Sequence, residues 1–292
     1  MPVEPHLAYP SSSATETVLG VTATRLGSAD RVSQPRRFVV SDIHGHPEGL
    51  LAALREKDLT DQDEAWVGGD AQLWVLGDYF DRGPDGVGVV DLLIRLAVEA
   101  EAAGGQLTAL LGNHEVLTLG KHRFGAITIQ TPQGERSFAA SWARNDGQAA
   151  DQKRLTEHHL NWLMERPGMA LVDEHLLIHS DVDVYRQWGS TVQEVNDYLL
   201  QALHTSDPET LWSLWSALTK RAAFQGLDGV DAAQGMLAQF GGSHIFHGHS
   251  IIGEDEGWPA SATKGPKHYA EDTVTAIDGG LFLGGPCLVV EF

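Results

Sequence analysis

Cysteine is nearly absent: the 292 residues include one, Cys287, so no disulfide can close within the chain. Positive charge is also scarce, with 20 Lys and Arg against 40 Asp and Glu and a formal net charge of -20. That excess argues against a nucleic-acid backbone or an anionic membrane surface as the main partner. It leaves room for a phosphate ligand, because bound divalent cations reverse the local sign. No apolar run approaches transmembrane length, and the N-terminus has no basic stretch leading into an apolar one. A cytoplasmic protein is therefore expected. No internal repeat occurs, and no linker splits the folded part into two. What remains is the composition of a globular protein, 42% hydrophobic and 21% charged, in a chain long enough to bury a sizeable core.

Residues 1–34 are rich in Pro, Ser, Thr and Ala and read as a flexible arm, with a short edge strand over 17–25 as an option. A single folded domain is expected over 35–292. Phe38-Val39-Val40 begins it as an apolar strand, followed by a helix with Pro47 at its start and Leu50, Leu51 and Leu54 on one face. Leu73–Leu76 and Leu107–Leu111 read as two further strands, separated by a helix from Gly86 to about Ala103. Strand, polar turn and helix thus recur three times, which predicts βαβ units and a largely parallel sheet in an α/β fold. Farther on, 126–138 reads as a small hairpin or insertion, 151–165 as one amphipathic helix, and 170–178 as a hairpin. Helices are expected over 192–204, 208–224 and 229–240, a strand over 244–246, and closing antiparallel strands in the tail. Trp212 and Trp215, three apart on a helix, read as core.

Each strand ends in a short polar turn. The densest is Gly77-Asp78-Tyr79-Phe80-Asp81-Arg82-Gly83, closed by Pro84. The others are Asp42-Ile43-His44, Gly112-Asn113-His114-Glu115, His179 and His249. Strand ends in α/β sheets are where ligands bind. Close carboxylates repel one another unless a cation or an arginine neutralises them. Oxygen donors mixed with imidazoles suit first-row divalent metals better than calcium or a thiolate zinc site.

The order and spacing of these turns resemble the phosphoprotein phosphatase (PPP) family within the calcineurin-like metallophosphoesterases, over Phe38 to about Asp278. The resemblance implies a β-sandwich of mixed sheets flanked by helices, with a dinuclear metal site at the C-terminal ends of strands. It makes Asp42 and His44 ligands of one metal and Asp78 the bridge to a second, with Asn113, His179 and His249 completing the pair. Manganese is the expected metal, with iron, zinc, cobalt or nickel as alternatives. The metals would activate a water that attacks phosphorus in line. His114 would protonate the leaving oxygen, and Asp81 would hold its imidazole. Arg82 and Asn113 would contact phosphate, and Arg221 is the candidate for a further phosphate-binding arginine, with a surface salt bridge as the competing reading.

The chain departs from the family pattern in three places. Ser41 stands where glycine is usual, Ser180 and Asp181 follow His179 in place of small residues, and Ser250 replaces a threonine. Asp181 is left open between hydrogen-bonding a ligand, binding metal and facing solvent. His247, two residues before His249, would share its face in an extended strand. Glu115 is expected to support the following helix. The resemblance implies hydrolysis of phosphomonoesters such as phosphoserine, phosphothreonine or phosphotyrosine in a protein or small substrate. A symmetrical dinucleoside tetraphosphatase is the alternative, and a non-catalytic phosphate-binding scaffold the second.

Overall fold

Alternating apolar residues decide how the strands stack. The computed structural model describes residues 34–292, so the expected arm and the optional strand over 17–25 lie outside the described residues, Gln34 apart. Pro35–Phe292 form one compact unit. Strands β1 (Arg37–Val40), β2 (Gln72–Val75) and β3 (Gln106–Ala109) lead into helices α1 (Pro47–Arg55), α2 (Gly86–Ala102) and α3 (Asn113–Phe124). The three strands pair in parallel, and β11 (Val290–Glu291) closes the sheet antiparallel to β1. A second sheet has β7 (His175–Ile178), β8 (His244–His247) and β10 (Val274–Ala276) parallel at its centre. Its antiparallel edges are β6 (Met169–Val172) and β9 (Lys267–Tyr269).

Side chains on successive strand residues point to opposite faces. Val39 of β1 and Trp74 of β2 accordingly meet Leu177 of β7 and Phe246 of β8 in one buried cluster between the sheets. Their neighbours Phe38, Val40, Leu73 and Val75 join a larger cluster with Leu50 and Leu54 of α1 and Val90 and Leu93 of α2. The result is a sandwich of two mixed sheets with helices outside. Each such buried Val, Leu or Phe contributes about 1.5–3 kcal/mol relative to exposure, so the strands are buried on both faces and read as continuous apolar runs.

Between the sheets in sequence lie a hairpin of β4 (Ile129–Thr131) and β5 (Gly134–Arg136) and helices α4 (Phe138–Arg144), α5 (Ala149–Arg154) and α6 (Glu157–Met164). Helices α7 (Val192–Leu203), α8 (Pro208–Leu218) and α9 (Gly229–Phe240) follow β7. Three expectations change. The helix expected over 151–165 is two helices, because Leu155 turns extended and Thr156 caps α6 by accepting from the His159 N–H. The helix expected to reach residue 224 stops at Leu218, where the Leu218 carbonyl accepts from Ser180 Oγ at 2.6 Å. The tail is only partly antiparallel: β11 pairs antiparallel with β1 and β10 with β9, but β10 runs parallel to β8. Among the described residues no helix is long and apolar enough to cross a membrane.

Candidate metal and phosphate site

The C-terminal ends of β1, β2 and β3 meet those of β7 and β8 across the sandwich. His179, just after β7, offers Nδ1 to the Leu76 carbonyl at 2.9 Å, and the His249 N–H donates to Asp42 Oδ2 at 2.9 Å. These contacts join the two sheets at one edge. The backbone there is unusual. Asp42, His44, Asp78, Asp81, Arg82 and His249 all have φ between 44° and 67°, a region side chains other than glycine seldom adopt. Concentrated strain of this kind is held by surrounding structure and gathers at functional sites. Glycine is required beside it. A Cβ on Gly112 would lie 2.3 Å from Asp78 Oδ1, and one on Gly248 would lie 2.1 Å from Asp42 Oδ2.

Glu115 ties the second turn to the third. Its Oε2 accepts from the N–H groups of Asp78 and Gly112, both at 2.8 Å, and its Oε1 from that of Tyr79 at 2.7 Å. The Asp78 carboxylate in turn accepts from the N–H of His114 in the first turn of α3, at 2.9 Å. A helix N-terminus favours negative charge there. Glu115 thus supports α3 as expected, and it also fixes Asp78. Burial beside Asp78 pushes the Glu115 carboxyl up to about 7.

Donor atoms converge on Asp78 from both sheets. His44, Asp78 and His114 form one buried group whose potential ligand atoms lie within 4.8 Å of one another; Asp78, His179 and His249 form another. Asp78 belongs to both. His179 Nε2 lies 3.0 Å from Asn113 Oδ1 and 3.2 Å from Asp78 Oδ1, while His44 Nε2 lies 3.7 Å from Asp78 Oδ2 and 3.9 Å from Asp42 Oδ1. Donors bound at about 2.1 Å around one ion sit roughly 3.0–3.4 Å apart; the His179 contacts match that spacing, while those of His44 to Asp78 and Asp42 are wider. Two further facts fit bound cations. His44 Nδ1 bonds the Phe80 carbonyl at 2.8 Å, which leaves Nε2 as the inward donor. Asp42 Oδ1 is buried without a hydrogen-bond partner among the described residues, while Oδ2 takes the Ser41 hydroxyl. Ser41 thus has a definite role at the position where glycine was expected.

His114 Nδ1 lies 2.7 Å from Asp81 Oδ2. Burial disfavours the charged imidazole, but the Asp78 charge and the Asp81 hydrogen bond together raise His114 above the ordinary histidine range. Burial raises Asp81 against the opposing pull of His114. Arg82 lies alongside, Nη1 3.1 Å from His44 Nε2, with the ring of Phe282 4.3 Å from its guanidinium carbon. It makes no ion pair with a carboxylate among the described residues; the nearby Asp85 pairs with Arg154 at 2.5 Å.

On the opposite wall Arg221 Nη1 donates to the His249 carbonyl at 3.2 Å and lies 3.8 Å from Glu254 Oε2. The position therefore carries both alternatives weighed from sequence, a place beside the site and a surface ion pair. Asp181 is buried, neither facing solvent nor among the grouped donors. It accepts from the Ala222 N–H and from Ser250 Oγ, each at 2.7 Å, and so holds the segment that carries Arg221. His247 turns away from His249, its Nε2 2.7 Å from the Tyr269 hydroxyl, because the left-handed turn at His249 breaks the strand's alternation. Two residues at the site were not anticipated as functional, Phe282 and Asp278. Asp278 is buried with Oδ2 unpartnered among the described residues, and burial and the nearby Asp42 charge hold its carboxyl well above the usual range. Its apolar strand followed by a glycine pair was the available signal.

Comparison with known proteins places the family and the fold. Over 90 residues the chain is 34% identical to Shewanella-like protein phosphatase 2 of Arabidopsis thaliana, covering 30% of this chain and 23% of that protein. It is 28% identical over 192 residues to serine/threonine-protein phosphatase 1 of Salmonella typhimurium, covering 65% and 74%. The chain therefore spans less than a quarter of the first relative and about three-quarters of the second. Among solved structures, a cold-active protein-tyrosine phosphatase of a psychrophilic Shewanella superposes with a TM-score of 0.67 at 19% identity, over 88% of this chain and 75% of that one. That likeness concerns the fold. The family profile for calcineurin-like phosphoesterases matches residues 35–253, a span that holds all five expected ligand turns, and the chain belongs to that family.

Proposed function

We propose that the chain hydrolyses phosphomonoesters on proteins or small molecules with the aid of two divalent cations, manganese before iron, zinc, cobalt or nickel. The observation that carries this reading is Asp78, shared between two donor groups that come from opposite sheets. Asp42, His44, Asp78, Asn113, His179 and His249 would hold the cations. When bound, such a pair supplies Lewis-acid charge for phosphate oxygens and a nucleophilic water. The remaining residues bind and move protons. Arg82 offers a planar fork of N–H donors to phosphate oxygens, and Arg221 reaches in from the other wall. Asn113 adds its amide at the same point. Water attacks phosphorus as the ester P–O bond breaks, and the leaving oxygen takes the Nε2 proton of His114. Asp81, accepting from Nδ1–H, keeps that ring oriented and favours its charged form. No phosphorylated side chain is needed.

Relatives named protein phosphatases match at 28–36% identity and relatives named symmetrical bis(5'-nucleosyl)-tetraphosphatases at 24–26%, which supports a phosphoprotein substrate first and a dinucleotide second. A panel of phosphoserine, phosphothreonine and phosphotyrosine peptides, with diadenosine tetraphosphate and metal analysis alongside, tests the reading. Faster turnover of the peptides is expected. Much faster hydrolysis of the tetraphosphate would reverse the substrate assignment. Inactivity on a generic aryl phosphate with manganese, cobalt, nickel and zinc would overturn catalysis itself and favour the scaffold.

A further inference from the structure

Arg82 is held in an unusual way for a buried-edge arginine. Most such guanidinium groups rest on a carboxylate, which fixes the side chain and also cancels its charge. Here no carboxylate among the described residues pairs with it, and the contact that lies against its face is the aromatic ring of Phe282, 4.3 Å from Cζ. The same ring meets the edge of the His44 imidazole, centroids 5.2 Å apart at 77°.

Phe282 is presented by a turn built to stay in place. Residues Leu281–Leu283 form a single 3₁₀ turn between Gly280 and Gly284, both left-handed. The Gly280 N–H donates to Asp278 Oδ1 at 2.8 Å, and the Gly285 N–H to the Gly280 carbonyl at 3.0 Å. Leu281 packs so closely on α1 that a Cβ at Gly49 would lie 3.0 Å from it. Anchored on both sides, the ring has little freedom to follow Arg82 elsewhere. An aromatic face attracts a cation without occupying its N–H donors and without cancelling its charge. The donor now turned to His44 Nε2 is then free to turn to an anion when that nitrogen binds a metal.

We propose that Phe282 is a positioning residue that holds Arg82 by its face and keeps its donor fork open for phosphate. The proposal rests on the phosphate-binding role given to Arg82 above. It is read by the inhibition constant of inorganic phosphate, the KM and kcat for an aryl phosphate, and bound metal per chain. Phe282→Leu should weaken inorganic phosphate and raise KM by about fivefold to thirtyfold, with metal content and kcat little changed. Phe282→Tyr and Phe282→Trp should restore most of the affinity. On an Arg82→Ala background, Phe282→Leu should have no further effect. Phe282→Met, also lacking a π-face, gives the same reading if the leucine variant folds poorly. If Arg82→Ala weakens phosphate and neither Phe282→Leu nor Phe282→Met does, the positioning role is wrong while the site assignment stands. If Arg82→Ala leaves phosphate affinity unchanged, the role of Arg82 falls and the proposal with it. A loss of metal or kcat at constant KM would place the ring's action on His44 and also overturn it.

Discussion

The two sheets contribute to the site in different ways. From the first come seven expected residues in three contiguous turns, each a few positions past a parallel strand: Asp42 and His44; Asp78, Asp81 and Arg82; Asn113 and His114. From the second come His179 and His249, with Arg221, Asp181 and Phe282 arriving on irregular backbone between or beyond the strands. In the first half Glu115 and the first turn of α3 clamp Asp78 within 37 residues of chain, although Asp42 also takes a bond from the distant His249 N–H. The second half is assembled by long-range bonds, such as Asp181 to Ser250 across 69 residues. On the proposed roles, metal-holding and proton transfer would depend mostly on local turns, and anion binding on the far wall on how distant segments dock.

The contrast predicts a ranking of effects. Asp78→Asn should do most, because it removes the carboxylate common to both donor groups; loss of bound metal together with activity is expected. Two metals per chain with full turnover would break the assignment. Next, His114→Asn should keep the metal yet lower kcat by about 10²–10⁴-fold. The Asp78 charge and the Asp81 hydrogen bond raise His114 from the ordinary imidazole value, so as the proposed acid it would keep its proton to higher pH than a free imidazole and lose it as pH rises through the raised value. Removing the Asp81 charge lowers that value. Asp81→Asn should therefore move the alkaline limb of the pH–rate profile to lower pH and cost roughly 10–100-fold; an unmoved limb would separate Asp81 from the acid. The same sign holds for stability. The His114–Asp81 contact contributes fully below the ordinary histidine value and fades as pH rises through the raised one.

Smaller effects should follow on the supports. Glu115→Gln puts an amide NH₂ where one carboxylate oxygen accepts from backbone, and a loss of about 1–3 kcal/mol is expected in denaturant unfolding. Asp181→Ala should leave metal content intact and raise KM modestly by loosening the segment that carries Arg221. Asp181→Asn, whose amide can accept from Ala222 and donate to Ser250, should sit closer to the parent. If Asp181→Ala stripped metal as thoroughly as Asp78→Asn, the proposed division between the two halves would fail.

Much of this was legible in the chain because its signals are local. Apolar strands running into Asp42, Asp78 and Asn113 are read from a few consecutive residues, and parallel pairing of β1, β2 and β3 follows from the strand-turn-helix repeats. Helix ends were read less well where tertiary bonds intervene. Nothing near Leu218 in sequence announces the Ser180 hydroxyl that takes its carbonyl. The break at Leu155 and Thr156 is different: a threonine three residues before His159 was a cap signal, outweighed by the apolar spacing around it.

By itself, then, the sequence determined the kinds of donor present, their order, the strands that carry them and the excess of acid that a pair of cations would offset. Only the tertiary structure decided that Asp78 lies between groups from two sheets, that Asp181 is a buried brace, that His247 points to Tyr269, and that Arg82 rests against Phe282. Those outcomes depend on contacts between residues tens to hundreds of positions apart and on left-handed turns that redirect side chains. Neither spacing nor periodicity encodes them, because each is fixed by which distant backbone happens to supply the missing hydrogen bond.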